Sequence, residues 1–253
     1  MNAMHLPVQP LNRVLVVVPA WNEQESVGQL VAEITHVDPV IEVLVVDDGS
    51  GDRTAACAER AGALVCRLPF NLGVGGAMRA GYRYALRHDY DVVVQVDADG
   101  QHDPTYIPEL IDGLFSADVV VGARFAGVGS YAVRGPRRWA MRLLSTVLSS
   151  LADQPLTDVT SGFRAVNRRG IRLFATHYPS EYLGDTVESL VIAVRTGCRV
   201  VQVPVAMRVR SGGQASQSTS LAVLYLARAL VALGLALVRR WPASLEAVPR
   251  ELT

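Results

Sequence analysis

The stretch Val92-Val93-Val94-Gln95-Val96-Asp97-Ala98-Asp99-Gly100-Gln101-His102-Asp103-Pro104 decides how this chain is read. Its first five residues form an almost wholly apolar run, the pattern of a buried strand. The carboxylates that follow stand at the strand's carboxyl end, where open α/β sheets place their ligands. Asp97 and Asp99 are two residues apart, so their side chains point the same way if the strand continues through them. Oxygen ligands converging there hold a divalent cation, and such a cation holds a diphosphate. The alternative is a polar turn that merely ends a strand. The sequence on either side bears on the choice.

Short Val-rich runs recur upstream and downstream, at Val14–Val18, Val43–Val46, Ala63–Leu68 and Val119–Val121. Helical patterns separate them, over Glu23–Thr35, Arg53–Ala61, Val74–Arg87 and Pro104–Phe115. Strands apolar on both faces, alternating with helices, predict an α/β fold: a mostly parallel sheet in a three-layer, Rossmann-like arrangement. After Arg124 the pattern changes. Phe125–Arg134 reads as a Gly-containing loop, Arg137–Leu151 as a helix with basic residues, and Thr157–Val166 as a turn that becomes extended. Asp185–Arg195 reads as a helix and Arg199–Val205 as a strand. A Gly/Ser/Gln-rich loop at 211–220 precedes the apolar segment Leu221–Val238. The expected organisation is a disordered leader (1–12), a main α/β domain (13–210), a flexible loop (211–220), an apolar docking helix (221–240) and a tail (241–253).

The 253 residues suffice for one large α/β domain with a sizeable core. Three scattered cysteines, Cys57, Cys66 and Cys198, argue against a disulfide scaffold and for a reducing compartment. The first twelve residues lack the apolar core of a signal peptide. Net charge is zero, but residues 1–123 carry 17 acidic and 7 basic side chains, and residues 124–253 carry 7 acidic and 17 basic. The acidic half suits a metal ion, and the basic half suits phosphates or an anionic surface. Nucleic acid is not an expected partner.

Four more segments carry chemistry. Pro19-Ala20-Trp21-Asn22-Glu23 opens a loop at the end of the first strand. Val45-Val46-Asp47-Asp48-Gly49-Ser50 places two carboxylates at another strand end. They either accept hydrogen bonds from a nucleobase edge and ribose or cap a helix beside a Gly turn. Asn71-Leu72-Gly73-Val74-Gly75-Gly76-Ala77 is a Gly-rich helix start whose N–H groups, Gly76 included, suit an anion. Asp158-Val159-Thr160-Ser161-Gly162-Phe163-Arg164 is a surface turn or part of an acceptor cavity.

In combination and order, these segments resemble the family 2 glycosyltransferases of the GT-A fold. The nearer likeness is to dolichyl- and polyprenyl-phosphate sugar synthases, over about residues 13–238. The resemblance implies that Pro19, Ala20, Glu23, Asp47, Asp48, Gly76, Asp97 and Ala98 contact the nucleotide sugar. Asp97, Asp99 and Gln101 would hold Mg²⁺ or Mn²⁺. Asp99, Arg124 and Arg138 would be catalytic, the two arginines facing the acceptor phosphate, with Arg134, Arg137 and Arg142 as rivals to Arg138. Arg164, Arg208, Arg210 and Ser211 would form the acceptor side and a closing lid. The family's closing Ser-Ser pair is interrupted here by Gln214-Ala215-Ser216-Gln217-Ser218.

The implied activity is inverting transfer of a hexose from GDP-mannose or UDP-glucose to a polyprenyl phosphate. Alternatives are a saccharide or other envelope acceptor, and a degenerate scaffold subunit. A phosphate monoester, with its second pKa near 6, is largely ionised at neutral pH and needs little help from a base. Asp185 and Glu188 fall near the position of a base in other family members; pairing with arginines is the favoured reading. Leu221–Val238, 18 residues or about 27 Å as a helix, is marginal for spanning a bilayer core and carries Arg228 at its middle. It is therefore read as docking on a membrane surface or a small membrane-protein partner, which places the chain at the cytoplasmic face. A homo-oligomer is also compatible.

Overall fold

The computed structural model describes residues 13–124, 136–179 and 185–208, and Gly234 alone beyond them. Seven strands form one sheet: β1 (Val14–Ala20), β2 (Glu42–Asp47), β3 (Leu64–Arg67), β4 (Val92–Gln95), β5 (Val119–Ala123), β6 (Arg164–Asn167) and β7 (Val200–Pro204). Among the described residues these α-helices accompany them: α1 (Val27–Val37), α2 (Thr54–Arg60), α3 (Gly73–Arg87), α4 (Ile107–Gly113), α5 (Pro136–Ala152), α6 (Arg168–His177) and α7 (Asp185–Arg195). The strand order is β3-β2-β1-β4-β6-β5-β7. β6 runs antiparallel to both neighbours, and every other pairing is parallel. The α/β class with a mostly parallel sheet is as expected.

Alternation along the strands builds two cores. Leu15, Val17, Leu44, Val46, Val93, Val119 and Val121 face one way, with residues of α3, α5, α6 and α7. Val16, Val18, Val43, Val45, Val92, Val94 and Val120 face the other way, with residues of α1, α2 and α4. A strand buried on both faces cannot alternate in polarity, which is why the Val runs look continuous. Each such side chain removed from water contributes about 1.5–3 kcal/mol.

The structure departs from the sequence reading in four places. The helix expected from Glu23 begins at Val27, after a turn. Pro104–Phe115 divides into a 3₁₀ turn at Pro104–Tyr106 and then α4. Residues 168–177 form α6, which was not expected; its amide cap is Asn167, whose side chain accepts from the Gly170 N–H. The Asp-x-Asp pair does not continue β4, which ends at Gln95 before the chain turns over residues 98–100. Gly100 there has φ +75°, a conformation that favours glycine. The predicted loop 125–134, the loop 211–220 and the helix 221–240 lie outside the described residues.

α3 crosses directly above β1, and Gly81 is the point of closest approach. A Cβ on Gly81 would lie 2.5 Å from Val17 Cγ1, on a strand residue with no exposed surface. Alanine would gain about 1 kcal/mol in helix propensity. Overpacking against a fixed strand costs typically 1–3 kcal/mol. Gly81→Ala is therefore expected to lower the melting temperature by a few degrees, at about 2–4 °C per kcal/mol for a chain of this size. A melting temperature equal to or above that of the parent would show that α3 does not press on β1.

Candidate active site

The chain runs outward from β1 to β2 and β3, then returns to place β4 on the other side of β1. The switch point between β1 and β4 is where an open α/β sheet leaves a crevice at its carboxyl edge. Ala20 pairs in register with Asp47, and Val17 with Gln95, so Pro19-Ala20, Asp47-Asp48 and the Asp97–Gln101 turn share that edge. Because β6 is antiparallel, its amino end meets the carboxyl end of β4, with Arg164 opposite Gln95. The Thr160–Phe163 turn is thereby brought to the same edge.

Asp97 is held from several sides. Its backbone N–H donates to His102 Nδ1 at 3.0 Å. Gln95 Nε2 donates to its Oδ1 at 3.2 Å. A Cβ on Gly162 would lie 2.8 Å from its Oδ2, so any larger residue in the β6 turn would have to displace this carboxylate. Its side chain still keeps 37% of its surface exposed, unlike its buried neighbours. Asp99 Oδ1 accepts the Gln101 N–H at 3.0 Å, which fixes the turn. Among the described residues no three His, Cys, Asp or Glu side chains gather into a metal cluster. A cation here would draw on two carboxylates and the Gln101 amide, with the remaining positions filled by a ligand's oxygens and water. That oxygen-only set fits Mg²⁺ or Mn²⁺. Ala98 contributes only backbone at the edge, since its side chain is packed in the core with α1 and α4.

The loops after β1 and β2 are laced together. Asn22, at φ +55°, donates its N–H to Ser50 Oγ and accepts the Gly51 N–H on Oδ1, both at 2.9 Å. The Glu23 N–H donates to Thr54 Oγ1 at 2.8 Å. Asp47 Oδ1 accepts the Ser50 N–H at 3.0 Å. Asp48 is used differently: its two oxygens accept the Leu72 and Gly73 N–H groups, both at 2.7 Å. Burial raises the Asp48 carboxyl above its ordinary value, partly offset by those two bonds. The amino end of α3 is thus occupied by a protein carboxylate. This corrects the expectation that Gly76 and its neighbours cradle a ligand anion. The glycines serve packing instead: a Cβ on Gly75 would lie 2.3 Å from the Pro179 carbonyl oxygen, and one on Gly76 2.4 Å from Leu72 Cβ.

On the acceptor side, Arg124 is fixed by a buried partner. Its N–H and Nε donate to Asp158 Oδ2 at 3.1 and 2.6 Å, and Nη2 reaches Asp158 Oδ1 at 3.0 Å and Thr160 Oγ1 at 2.8 Å. Arg164 corrects an expectation. It has no exposed surface, and its guanidinium donates to Ser161 O at 2.7 Å and Ser189 Oγ at 2.8 Å. It ties the β6 turn to α7 and presents nothing to an acceptor. Arg208 is clamped as well, between Glu33 and Asp103, while its N–H donates to Gln101 O at 2.9 Å. It anchors the chain to the Asp97–Gln101 turn. Arg137 and Arg138 lie in the first turn of α5. Arg134, Arg210 and Ser211 lie outside the described residues.

Three site features escaped the sequence reading: Gln95, His102 as a partner of Asp97, and the burial of Asp185. A lone amide in an apolar strand, two residues before Asp97, was the available signal for the first. Asp185 Oδ2 is buried and has no hydrogen-bond partner among the described residues. Burial pushes its carboxyl up to about 6; the Arg164 charge opposes this and Asp97 adds to it. Burial would also raise Asp158, but the bonds and charge of Arg124 outweigh it and hold that carboxyl below its ordinary value.

These opposite shifts give opposite pH dependences. The Asp158 contribution is present above the unfolded value near 4 and is lost as pH falls through the lower folded value. Asp185 costs nothing below about 4, and its cost grows as pH rises from there to about 6 and stays level above it. In metal-free protein, Asp185→Asn is expected to be more stable than the parent by about 1–3 kcal/mol at pH 8. The gain should shrink towards pH 4.5. Denaturant melts at the two pH values measure this, and an equal difference at both would contradict it.

The family described as glycosyl transferase family 2 matches residues 15–174. The undecaprenyl-phosphate mannosyltransferase of Micrococcus luteus is 34% identical over 218 residues, which span 81% of this chain and 88% of that protein. The polyprenol monophosphomannose synthase of Mycolicibacterium smegmatis is 31% identical over 229 residues, 84% of each chain. Among solved structures, the glucosyl-3-phosphoglycerate synthase of Mycobacterium tuberculosis with Mn²⁺, UDP and phosphoglyceric acid superposes with a TM-score of 0.67 at 20% identity, over 90% of this chain and 80% of that one. Its complex with Mg²⁺ and UDP gives 0.66 at 21% identity, over 89% and 79%. The shared fold is the GT-A type, and divalent cations are bound within it. By the match over residues 15–174 and the identity to its relatives, this chain belongs to glycosyl transferase family 2.

Proposed function

We propose that this enzyme moves a hexose from a nucleotide sugar to a polyprenyl phosphate with inversion at the anomeric carbon. The observation that carries the reading is the contact of Gly162 with Asp97, which joins the two halves of the site. The carboxylate turn belongs to the donor side, and the Thr160–Phe163 turn, with Arg124 bound to Asp158 and Thr160, belongs to the acceptor side. The names of the Micrococcus and Mycolicibacterium relatives support a lipid-phosphate acceptor.

In this reading Asp97, Asp99 and Gln101 hold a divalent cation, whose charge stabilises the departing nucleoside diphosphate. Pro19-Ala20 and the laced loops 20–26 and 47–54 wall the nucleotide. Arg124 faces the acceptor phosphate, and Arg138 is assigned as its second cation from the sequence. Arg124 is preset by Asp158, so it need not reorganise when charge develops. A phosphate oxygen, already ionised, attacks the anomeric carbon in line as the diphosphate leaves. An α-linked donor then gives a β-linked product, and no protein base is required. Asp185, buried beside Arg164, serves the architecture.

No helix among the described residues is long and apolar enough to cross a membrane. We place the chain at the cytoplasmic face, with residues 221–240 docking on the bilayer or on a membrane partner. Removing residues 220–253 should abolish cosedimentation with anionic vesicles; unchanged cosedimentation would count against docking through this segment.

The activity is tested with labelled GDP-mannose and UDP-glucose, undecaprenyl phosphate, and Mg²⁺ or Mn²⁺. Label should enter an organic-extractable product. Asp99→Ala should lose at least about 10²-fold in rate, the scale of a lost transition-state charge contact. Asp185→Asn should keep its activity. Label confined to a water-soluble saccharide would exclude the lipid acceptor, and full activity of Asp99→Ala would exclude the metal role.

A further inference from the structure

His102 has no part in the reaction as described, yet its contacts converge on one metal-site carboxylate. Its Nδ1 accepts the Asp97 N–H at 3.0 Å. A ring nitrogen that accepts carries no proton, so the proton of the neutral ring resides on Nε2. Nε2 stands 3.7 Å from Asp97 Oδ2, too far for a hydrogen bond. The ring is 3% exposed and stacks on Phe163, with centroids 4.9 Å apart and planes 15° apart. Its backbone forms an antiparallel bridge with Met207. With Nδ1 engaged and the ring buried, His102 is in no position to touch substrate or ligate a cation itself.

We propose that His102 is a positioning residue: it holds the Asp97 backbone and aims its carboxylate at the cation. This rests on the reading of Asp97 as a metal ligand. The ring satisfies the Asp97 N–H just past the end of β4, where the chain turns away from the sheet. It is itself fixed by Phe163 from the acceptor-side turn and by Met207 from the segment leading to Arg208. One imidazole thus links three segments around one ligand. Groups that orient a metal ligand in this way commonly change metal affinity by 10–100-fold when removed.

The test is Mn²⁺ binding, read from the loss of the free-ion electron paramagnetic resonance signal, on the full chain without substrates. The parent should bind, and Asp97→Asn should not. His102→Phe keeps a ring to stack on Phe163 but removes the acceptor, and should weaken Mn²⁺ binding about tenfold or more. His102→Asn puts an amide oxygen near the place of Nδ1 and should stay closer to the parent than to His102→Phe. Should His102→Phe fail to fold, His102→Gln, whose longer amide mimics Nε2 rather than Nδ1, should show the same weakening. Melting curves run alongside separate the roles, since a merely structural histidine would lower every melting temperature without moving the affinity of folded protein. Parent-like Mn²⁺ affinity in folded His102→Phe or His102→Gln would overturn the positioning role and leave the metal site intact. No binding by the parent, or full binding by Asp97→Asn, would overturn the metal reading itself.

Discussion

The antiparallel insertion of β6 between β4 and β5 is the constraint on which the site depends. In a wholly parallel sheet every strand presents its carboxyl end at the ligand edge, followed by a loop into a helix. Reversing one strand puts an amino-end turn there instead. That turn passes so close to Asp97 that a Cβ at Gly162 would push the carboxylate from its place, which is the physical demand at that position. The same reversal carries Arg164 into the interior, where its guanidinium is met by Ser161 and Ser189. Leaving such a buried charged group without its hydrogen-bond partners costs about 1–3 kcal/mol or more. The turn, the start of α7 and the floor beneath Asp97 therefore stand or fall together.

The carboxylates at this edge divide by what surrounds them. Asp48 spends both oxygens on the amino end of α3, and Asp158 spends both on Arg124. Asp185 is buried and resists ionisation. Asp97 and Asp99 keep spare acceptor capacity, because among the described residues each is held through one of its oxygens by a hydrogen-bond donor. The acidic side chains thus serve as structural anions in both halves of the sequence, at Asp48 in the first and at Asp158 and Asp185 in the second. Charge counting alone could not separate them from Asp97 and Asp99.

The legible part of this chain was its period and order. Continuous Val runs divided by helical patterns gave the parallel layers, and the order of the motifs gave the edge where they meet. What was not legible depended on contacts distant in sequence. Asp48 reads equally well as a ribose ligand or a helix cap until β2 and α3 are placed side by side. Arg164 reads as a surface cation until β6 is seen to pair on both edges. The Asp-x-Asp argument assumed a strand that continues; the chain turns instead, at a glycine with positive φ, and the turn's own hydrogen bonds orient Asp99. α6 was missed because its apolar face is short and interrupted by arginines, and its clearest signal was the Asn167 cap.

Two arginines bracket the carboxylate turn, and the contrast between them shows how one cation type serves two ends. Arg208 is partly exposed, and paired charges in water contribute little stability, at most about 1 kcal/mol. Its value is geometric: with its N–H on Gln101 O, it delivers the following chain to the side of the Asp97–Gln101 turn. Arg124 is mostly buried on a fully buried Asp158, so its orientation is fixed before any ligand arrives. A dianionic acceptor approaching two carboxylates needs positive charge already in place, since charge that must first rearrange stabilises a transition state less. Under the proposed acceptor role of Arg124, Asp158 offsets part of the guanidinium's charge, so what the pair contributes is a direction fixed in advance rather than net positive charge.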